Sequence, residues 1–287
     1  MFRPRPRRTS LRAALALALA CAGAPAVGEG KPQAEEARPE LALMGTIPIY
    51  WGEAGDFSEM LDSASHAHWA RAVLERQYRL VPMDWLGAEN LAESRFLLMA
   101  QPRALSAEEN VALDNWVRAG GRLLLFADPM MTGESRFPIG DRRRPHDVVL
   151  LSPILSHWGL QLQYDAEQTE GVAIVDIGEA EVPVNLSGAL VVLDGHRECV
   201  IDGAALVARC AIGAGHVLVL ADAAVLDFDG PHAGAVSSLS ALTGQLFRPA
   251  QPNAGNRTTG SARRSENQGI APVSADRVDH VDLGGSG

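Results

Sequence analysis

Unbroken apolar runs alternate along the chain with stretches of helical spacing, and that alternation predicts most of its elements. Leu41–Tyr50 is mostly apolar, with Ile47 and Ile49, and reads as a strand buried on both faces. Ser63–Gln77 sets Trp69, Ala70, Val73 and Leu74 at helical spacing. Tyr78–Met83 predicts a second short strand ending at Asp84, and Phe96–Ala100 a third, closed by Gln101-Pro102. Ser106-Ala107-Glu108-Glu109 places a hydroxyl at a helix N-cap and a Glu three residues on, the pattern of a capping box. The helix it opens presents Val111, Leu113, Trp116 and Val117 and stops at Gly120-Gly121. Arg122–Ala127 follows as a fourth strand, ended by Asp128-Pro129. Strand–helix–strand units of this length imply parallel strands with right-handed crossovers.

The second half changes rhythm. Residues 130–147 form a long loop rich in Gly, Pro and charge, including Arg142-Arg143-Arg144, and Val148–Trp158 reads as a helix entered across Pro153. Between 160 and 210, short β-like runs (Val172–Ile177, Leu190–Leu193, Cys199–Ile201, Ala205–Cys210) alternate with turn residues, which predicts a small antiparallel insert or edge extension. Gly213-Ala214-Gly215 precedes the strand His216–Ala221, which ends at Asp222. Because it stands before a strand, it is a turn and not a dinucleotide fingerprint. A last helix is expected over His232–Phe247.

The two ends of the chain read differently. Arg3, Arg5, Arg7, Arg8 and Arg12 precede the apolar run Ala13–Ala20, and Ala24-Pro25-Ala26 offers a small-x-small cleavage site, so residues 1–26 read as a secretory signal peptide. Cys21 loosely resembles a lipobox cysteine and Arg7-Arg8 a twin-arginine signal; ordinary export to the periplasm is the reading adopted. Residues 27–40 read as a flexible leader, 41–248 as the folded domain, and 249–287, which lack apolar periodicity, as a disordered tail. No later segment is long and apolar enough to span a bilayer.

The chain has 287 residues, 47% hydrophobic and 21% charged, enough apolar content for a packed core. Its net charge is −10, and the first 26 residues hold five arginines and no acid, so the remainder is more acidic still. That balance disfavours nucleic acid and anionic membranes as partners. In an oxidising compartment, Cys199 and Cys210 flank the turn at Asp202-Gly203 and read equally as a hairpin-closing disulfide or as two half-buried thiols.

In an open parallel sheet, ligands bind beyond the carboxyl ends of the strands. The residues expected there are Trp51, Glu53, Asp84, Gln101, Asp128 and Asp222, a candidate ligand or partner edge. Four carboxylates on one edge suit acid–base or metal chemistry, but acids at strand ends more commonly cap the turn or helix that follows. Trp51 and Trp69 could together form a sugar-stacking platform, although a tryptophan on a helix more often packs into the core. His66 and His68 at i and i+2 do not share a helix face and make a poor metal pair. Arg142–Arg144 reads as a solvated loop face or as a site for an acidic group. No nucleophile elbow occurs, and residues 22–198 contain no cysteine, so catalysis by a cysteine nucleophile is excluded there. No cofactor or metal is implied.

Phe96–Pro129 resembles the periplasmic domain of auxiliary subunits of gliding-motility-type ABC transport systems, which is also similar to a eukaryotic intraflagellar transport subunit. The residues that carry the resemblance are Gln101-Pro102, the Ser106–Glu109 helix start, Leu113, Trp116-Val117, Gly120-Gly121 and Leu124–Pro129, followed by Leu151–Leu155, Trp158–Leu160 and Gly215–Asp222. It implies a flavodoxin-like, class I glutamine-amidotransferase-like sheet without that superfamily's nucleophile. It also implies a non-enzymatic partner-binding role beside an envelope ABC transporter, although the membrane helices usual in those subunits are missing here. The competing expectation is a periplasmic hydrolase that uses the strand-end acids, with or without a metal.

Overall fold

A computed structural model describes residues 38–53, 67–178, 180–228 and 230–247. The proposed signal peptide, residues 27–37 of the proposed leader, the first four residues of the Ser63–Gln77 helix, His66 among them, and residue 248 with the proposed tail lie outside the described residues. A seven-stranded sheet forms the centre, in the order β2 (Arg79–Pro82), β1 (Glu40–Gly45), β3 (Phe96–Ala100), β4 (Arg122–Phe126), β11 (Gly215–Leu220), β10 (Val207–Ile212), β9 (Cys199–Asp202). The first five strands run parallel, and β10 and β9 extend the sheet as an antiparallel hairpin. Two small antiparallel pairs complete the molecule: β5 (Leu160–Gln163) with β8 (Ala189–Val192), and β6 (Ala173–Asp176) with β7 (Glu181–Val184).

Central strands must be apolar on both faces because helices cover both. Every residue of β3 is buried, as are Leu123–Phe126 of β4 and Val217–Leu220 of β11. Each fully buried Leu contributes about 1.5–3 kcal/mol relative to exposure. From β1 the chain crosses leftward to β2 through α1 (Trp69–Leu74), and from β3 rightward to β4 through α3 (Ala107–Arg118). Right-handed crossovers in opposite directions put these helices on opposite faces. Accordingly α5 (Ala235–Phe247) packs with α1, while α2 (Ala88–Ala92) and α4 (Ser152–His157) pack with α3. Under the first face, Phe247 meets Phe96 at 5.1 Å and Tyr78 at 5.9 Å between ring centroids.

Several expected boundaries move. The first strand stops at Gly45 and does not run on to Tyr50, because Thr46 and Ile47 turn their N–H groups to the carbonyls of Gln101 and Ala100. A side chain at position 45 would stand 1.9 Å from the Ala100 carbonyl oxygen, so only glycine allows this approach. The helix expected over Val148–Trp158 begins at Ser152, with Pro153 in its first turn, while Val149 extends to bond the Asp128 carbonyl. Of the two readings of 160–210, β9 and β10 take the edge extension, joining the main sheet, while β5 with β8 and β6 with β7 pair separately; β5, β7 and α2, too short for a clear periodic signal, complete the set. The capping box is complete: Glu109 N–H donates to Ser106 Oγ, and Ser106 N–H to Glu109 Oε2. A disulfide joins Cys199 to Cys210 at facing positions of β9 and β10, with Cα atoms 4.0 Å apart.

Candidate functional site

The six expected edge residues separate into three places. Gln101, Asp128 and Asp222 are buried beyond the ends of the adjacent strands β3, β4 and β11. Gln101 stands at φ +47°, the kind of strained strand-end position that nucleophile elbows occupy. Its amide is committed to the backbone: Nε2 donates to the carbonyls of Asp128 and His146, and Oε1 accepts from the Asp128 N–H.

All four oxygens of Asp128 and Asp222 accept backbone N–H bonds. Asp128 takes Met130 (2.8 Å) and Ala223 (3.0 Å); Asp222 takes Ala224 (2.7 Å) and Asn185 (2.9 Å). Burial pushes the Asp128 carboxyl up to about 7 despite these bonds. Burial and the neighbouring Asp128 charge hold Asp222 well above the usual carboxylate range. Together the residues make a polar knot that fixes the turns after β4 and β11 and anchors the Asn185 segment.

The crevice where β1 and β3 diverge, the place an open sheet offers a ligand, is filled by the chain itself. Thr46 Oγ1 donates to the Gln101 carbonyl and accepts the His146 N–H at 3.0 Å; Met131 N–H reaches the Asp147 carbonyl and Val149 N–H the Asp128 carbonyl. The loop between β4 and α4 thereby seals the strand ends with main-chain groups. Within it, Arg143 pairs with Asp141 at 2.7 Å and lies over Phe137, and Arg144 pairs with Asp147.

Trp51 and Asp84 remain exposed and border a cleft of only about 60 Å³ over the ends of β2, β1 and β3. Glu53 belongs to a different place, a cavity of about 500 Å³ lined also by His68, Trp69, Glu134, Arg136 and Phe228. Trp51 and Trp69 border separate clefts. In the larger cavity, Glu53 accepts the Ser135 hydroxyl and the Arg136 N–H, and Arg136 Nη1 returns a bond to the Glu53 carbonyl at 2.8 Å. His68 caps α1 through Nδ1, which accepts the Ala70 N–H, so its Nε2–H donates to the Leu226 carbonyl at 2.8 Å. Burial lowers this imidazole to about 4, and it stays neutral. The Trp69 indole N–H donates to the Asp227 carbonyl.

The pairing of Glu109 with Arg103 escapes a reading of the sequence. Beyond its capping bond, buried Glu109 accepts the Leu86 N–H and a two-pronged contact from Arg103 (2.7 and 2.9 Å). These bonds, that from Arg103 foremost, hold it down to about 2. Arg103 also donates to the Asp84 carbonyl. Leu86 lies 23 residues from Glu109, and Arg103, six residues before it, stands outside the helix where no helical spacing rule reaches. Among the described residues, no group of three or more His, Cys, Asp or Glu is placed to hold a metal ion, and no helix is long and apolar enough to cross a membrane.

Residues 58–175 match the ABC-transporter auxiliary family, described as an ABC-type uncharacterized transport system. No curated protein matches the chain. Among solved structures, the N-terminal domain of mmIFT52 is similar at 15% identity and TM-score 0.45, over 72% of this chain and 96% of that one. A ThuA-like protein from Bacteroides uniformis is similar at 11% identity and TM-score 0.43, over 76% and 94%. The exo-β-1,4-mannosidase Op5Man5 from Opitutaceae bacterium strain TAV5 is similar at 18% identity and TM-score 0.39; there the likeness spans 72% of this chain but 34% of the enzyme.

Proposed function

We infer that this chain, whose residues 58–175 match the ABC-transporter auxiliary family, works as an exported, non-catalytic accessory of an envelope transport system. The observation that carries the non-catalytic part is the sealed strand-end crevice. Asp128 and Asp222 do converge, as hydrolase chemistry would ask, but both are cut off from solvent and every oxygen already holds a backbone N–H. A general acid or base must reach its substrate within hydrogen-bond distance, and these two have no path to one. The parallel order β2-β1-β3-β4-β11 supports the flavodoxin-like reading. The cationic, apolar and small-residue succession in residues 1–26 supports export to the periplasm, and the disulfide fits an oxidising compartment.

Partner binding then falls to the outside of the sealing loop, where Met130, Ile139, Val148 and Leu150 are exposed between charged residues. The test is affinity capture of the tagged full chain from cross-linked cell envelopes, followed by mass spectrometry. Recovery of permease or ATPase subunits, lost on Ile139→Asp with Leu150→Asp, is expected. Repeated capture with no transporter subunit would overturn the reading.

A further inference from the structure

The 500 Å³ cavity has the size of a small-molecule site, and its walls come from four separate stretches: Glu53 after β1, His68 and Trp69 at the start of α1, Glu134–Arg136 in the sealing loop, and Phe228 after β11. Hydrogen-bond bookkeeping narrows what could fill it. On the wall, the indole N–H of Trp69, the Nε2–H of His68, the hydroxyl of Ser135 and the backbone N–H of Arg136 are all spent inside the protein. The rings of Trp69 and Phe228, 5.4 and 5.8 Å from the His68 ring, offer π surface and no donor of their own. Among the described lining residues the one further side-chain donor is the Arg136 guanidinium, and what stays in surplus is negative charge. The Glu53 carboxylate uses two of its roughly four acceptor positions, and Glu134 adds a second carboxylate against the single Arg136, whose Nη1 is turned to the Glu53 carbonyl. A hydroxylated ligand such as a sugar needs donors as well as acceptors from its site. An ammonium group gives donors or bare positive charge and asks for none.

We propose that this cavity binds a small organic ammonium, its cationic head held between the carboxylates of Glu53 and Glu134 and the rings of Trp69 and Phe228. Aromatic faces attract such cations through the ring quadrupole, most strongly when the pair is shielded from water, and the carboxylates add the charge contact. This ligand site goes beyond the accessory role, which does not require it.

The experiment is a titration of the full chain with choline, followed by calorimetry and tryptophan fluorescence, alongside its uncharged isostere 3,3-dimethylbutan-1-ol and alongside glucose. Saturable choline binding is expected, at least tenfold tighter than either neutral compound and weakening as salt rises. Glu53→Gln should weaken it about tenfold. Because that change also touches a loop contact, Glu134→Gln serves as the second variant: it should weaken choline three- to tenfold while leaving the melting temperature unchanged. Absence of saturable choline binding, equal affinity for the uncharged isostere, or indifference to Glu134→Gln in a normally melting protein would each overturn the proposal.

Discussion

Asp128 and Asp222 stand two residues past the paired ends of β4 and β11, and both are buried with every carboxylate oxygen held by a backbone N–H. Their folded-state affinity for protons is raised, so the folded chain binds more protons than the unfolded chain between pH about 4 and about 7. Stability from this pair is therefore greatest at the acid end of that window and falls as pH rises, by up to about 1.4 kcal/mol per pH unit for one excess proton. His68 acts with the opposite sign. Its folded affinity is lowered to about 4, so its contribution grows as pH rises from 4 through 6.5. The two slopes oppose each other in the unaltered protein. Asp222→Asn should cost about 1–3 kcal/mol through its mismatched donors and should remove one of the two falling slopes while Asp128 keeps the other, so that the loss of melting temperature between pH 4.5 and 6.5 becomes shallower. A melting profile unchanged in shape by the substitution would contradict this account.

Glu109 collects the Leu86 N–H, the Ser106 N–H and both guanidinium contacts of Arg103 in a buried position. Glu109→Ala strands these donors and removes half of a capping box, with an expected loss of about 3–5 kcal/mol in urea unfolding. Arg103→Ala leaves the backbone donors paired and exposes the site to water, so it should cost less. The carboxylate's affinity for protons is depressed, so its contribution is present above pH 4.5 and is lost as pH falls toward 2.

How far the sequence carries can be seen at this helix. Ser106–Glu109 shows its start because a capping box is local, and Gly120-Gly121 shows its end. Arg103 and Leu86 are invisible as partners of Glu109 until the chain folds. The same division runs through the strand ends. The placing of Asp128 and Asp222 after strands follows from apolar runs that stop, but their meeting depends on β4 and β11, separated by nearly a hundred residues, becoming neighbours. Thr46 with His146 is a third case, one side chain and one backbone N–H a hundred residues apart, with nothing in either neighbourhood to announce the other.

The Cys199–Cys210 bond closes a loop of 11 residues on the outermost hairpin of the sheet. Loop-closure entropy gives it about 2–3 kcal/mol. Reduction, or replacement of both cysteines by alanine, should lower the melting temperature and speed amide exchange in β9 and β10 first, with β3 and β4 protected as before. Uniform loss of protection across the sheet would show that the bond supports the core and not only the edge.

Gly45→Ala tests the contact between β1 and the end of β3. The added methyl would sit 1.9 Å from the Ala100 carbonyl oxygen, so the strands must part at the point where the crevice is sealed. Destabilisation above about 2 kcal/mol is expected in chemical unfolding, well beyond the ordinary cost or gain of a Gly-to-Ala change.

The seal over the strand ends is built almost wholly from main-chain N–H and C=O groups of residues 131, 146, 147 and 149, joined to Thr46, Gln101 and Asp128. Main-chain groups are common to nearly all amino acids. The side chains that the same loop turns outward, such as Ile139, Val148 and Leu150, can therefore be exchanged without disturbing the closure beneath them. On the proposed docking role, folding and recognition lie on opposite sides of one segment, and substitutions that change the docking surface would leave the closure untouched.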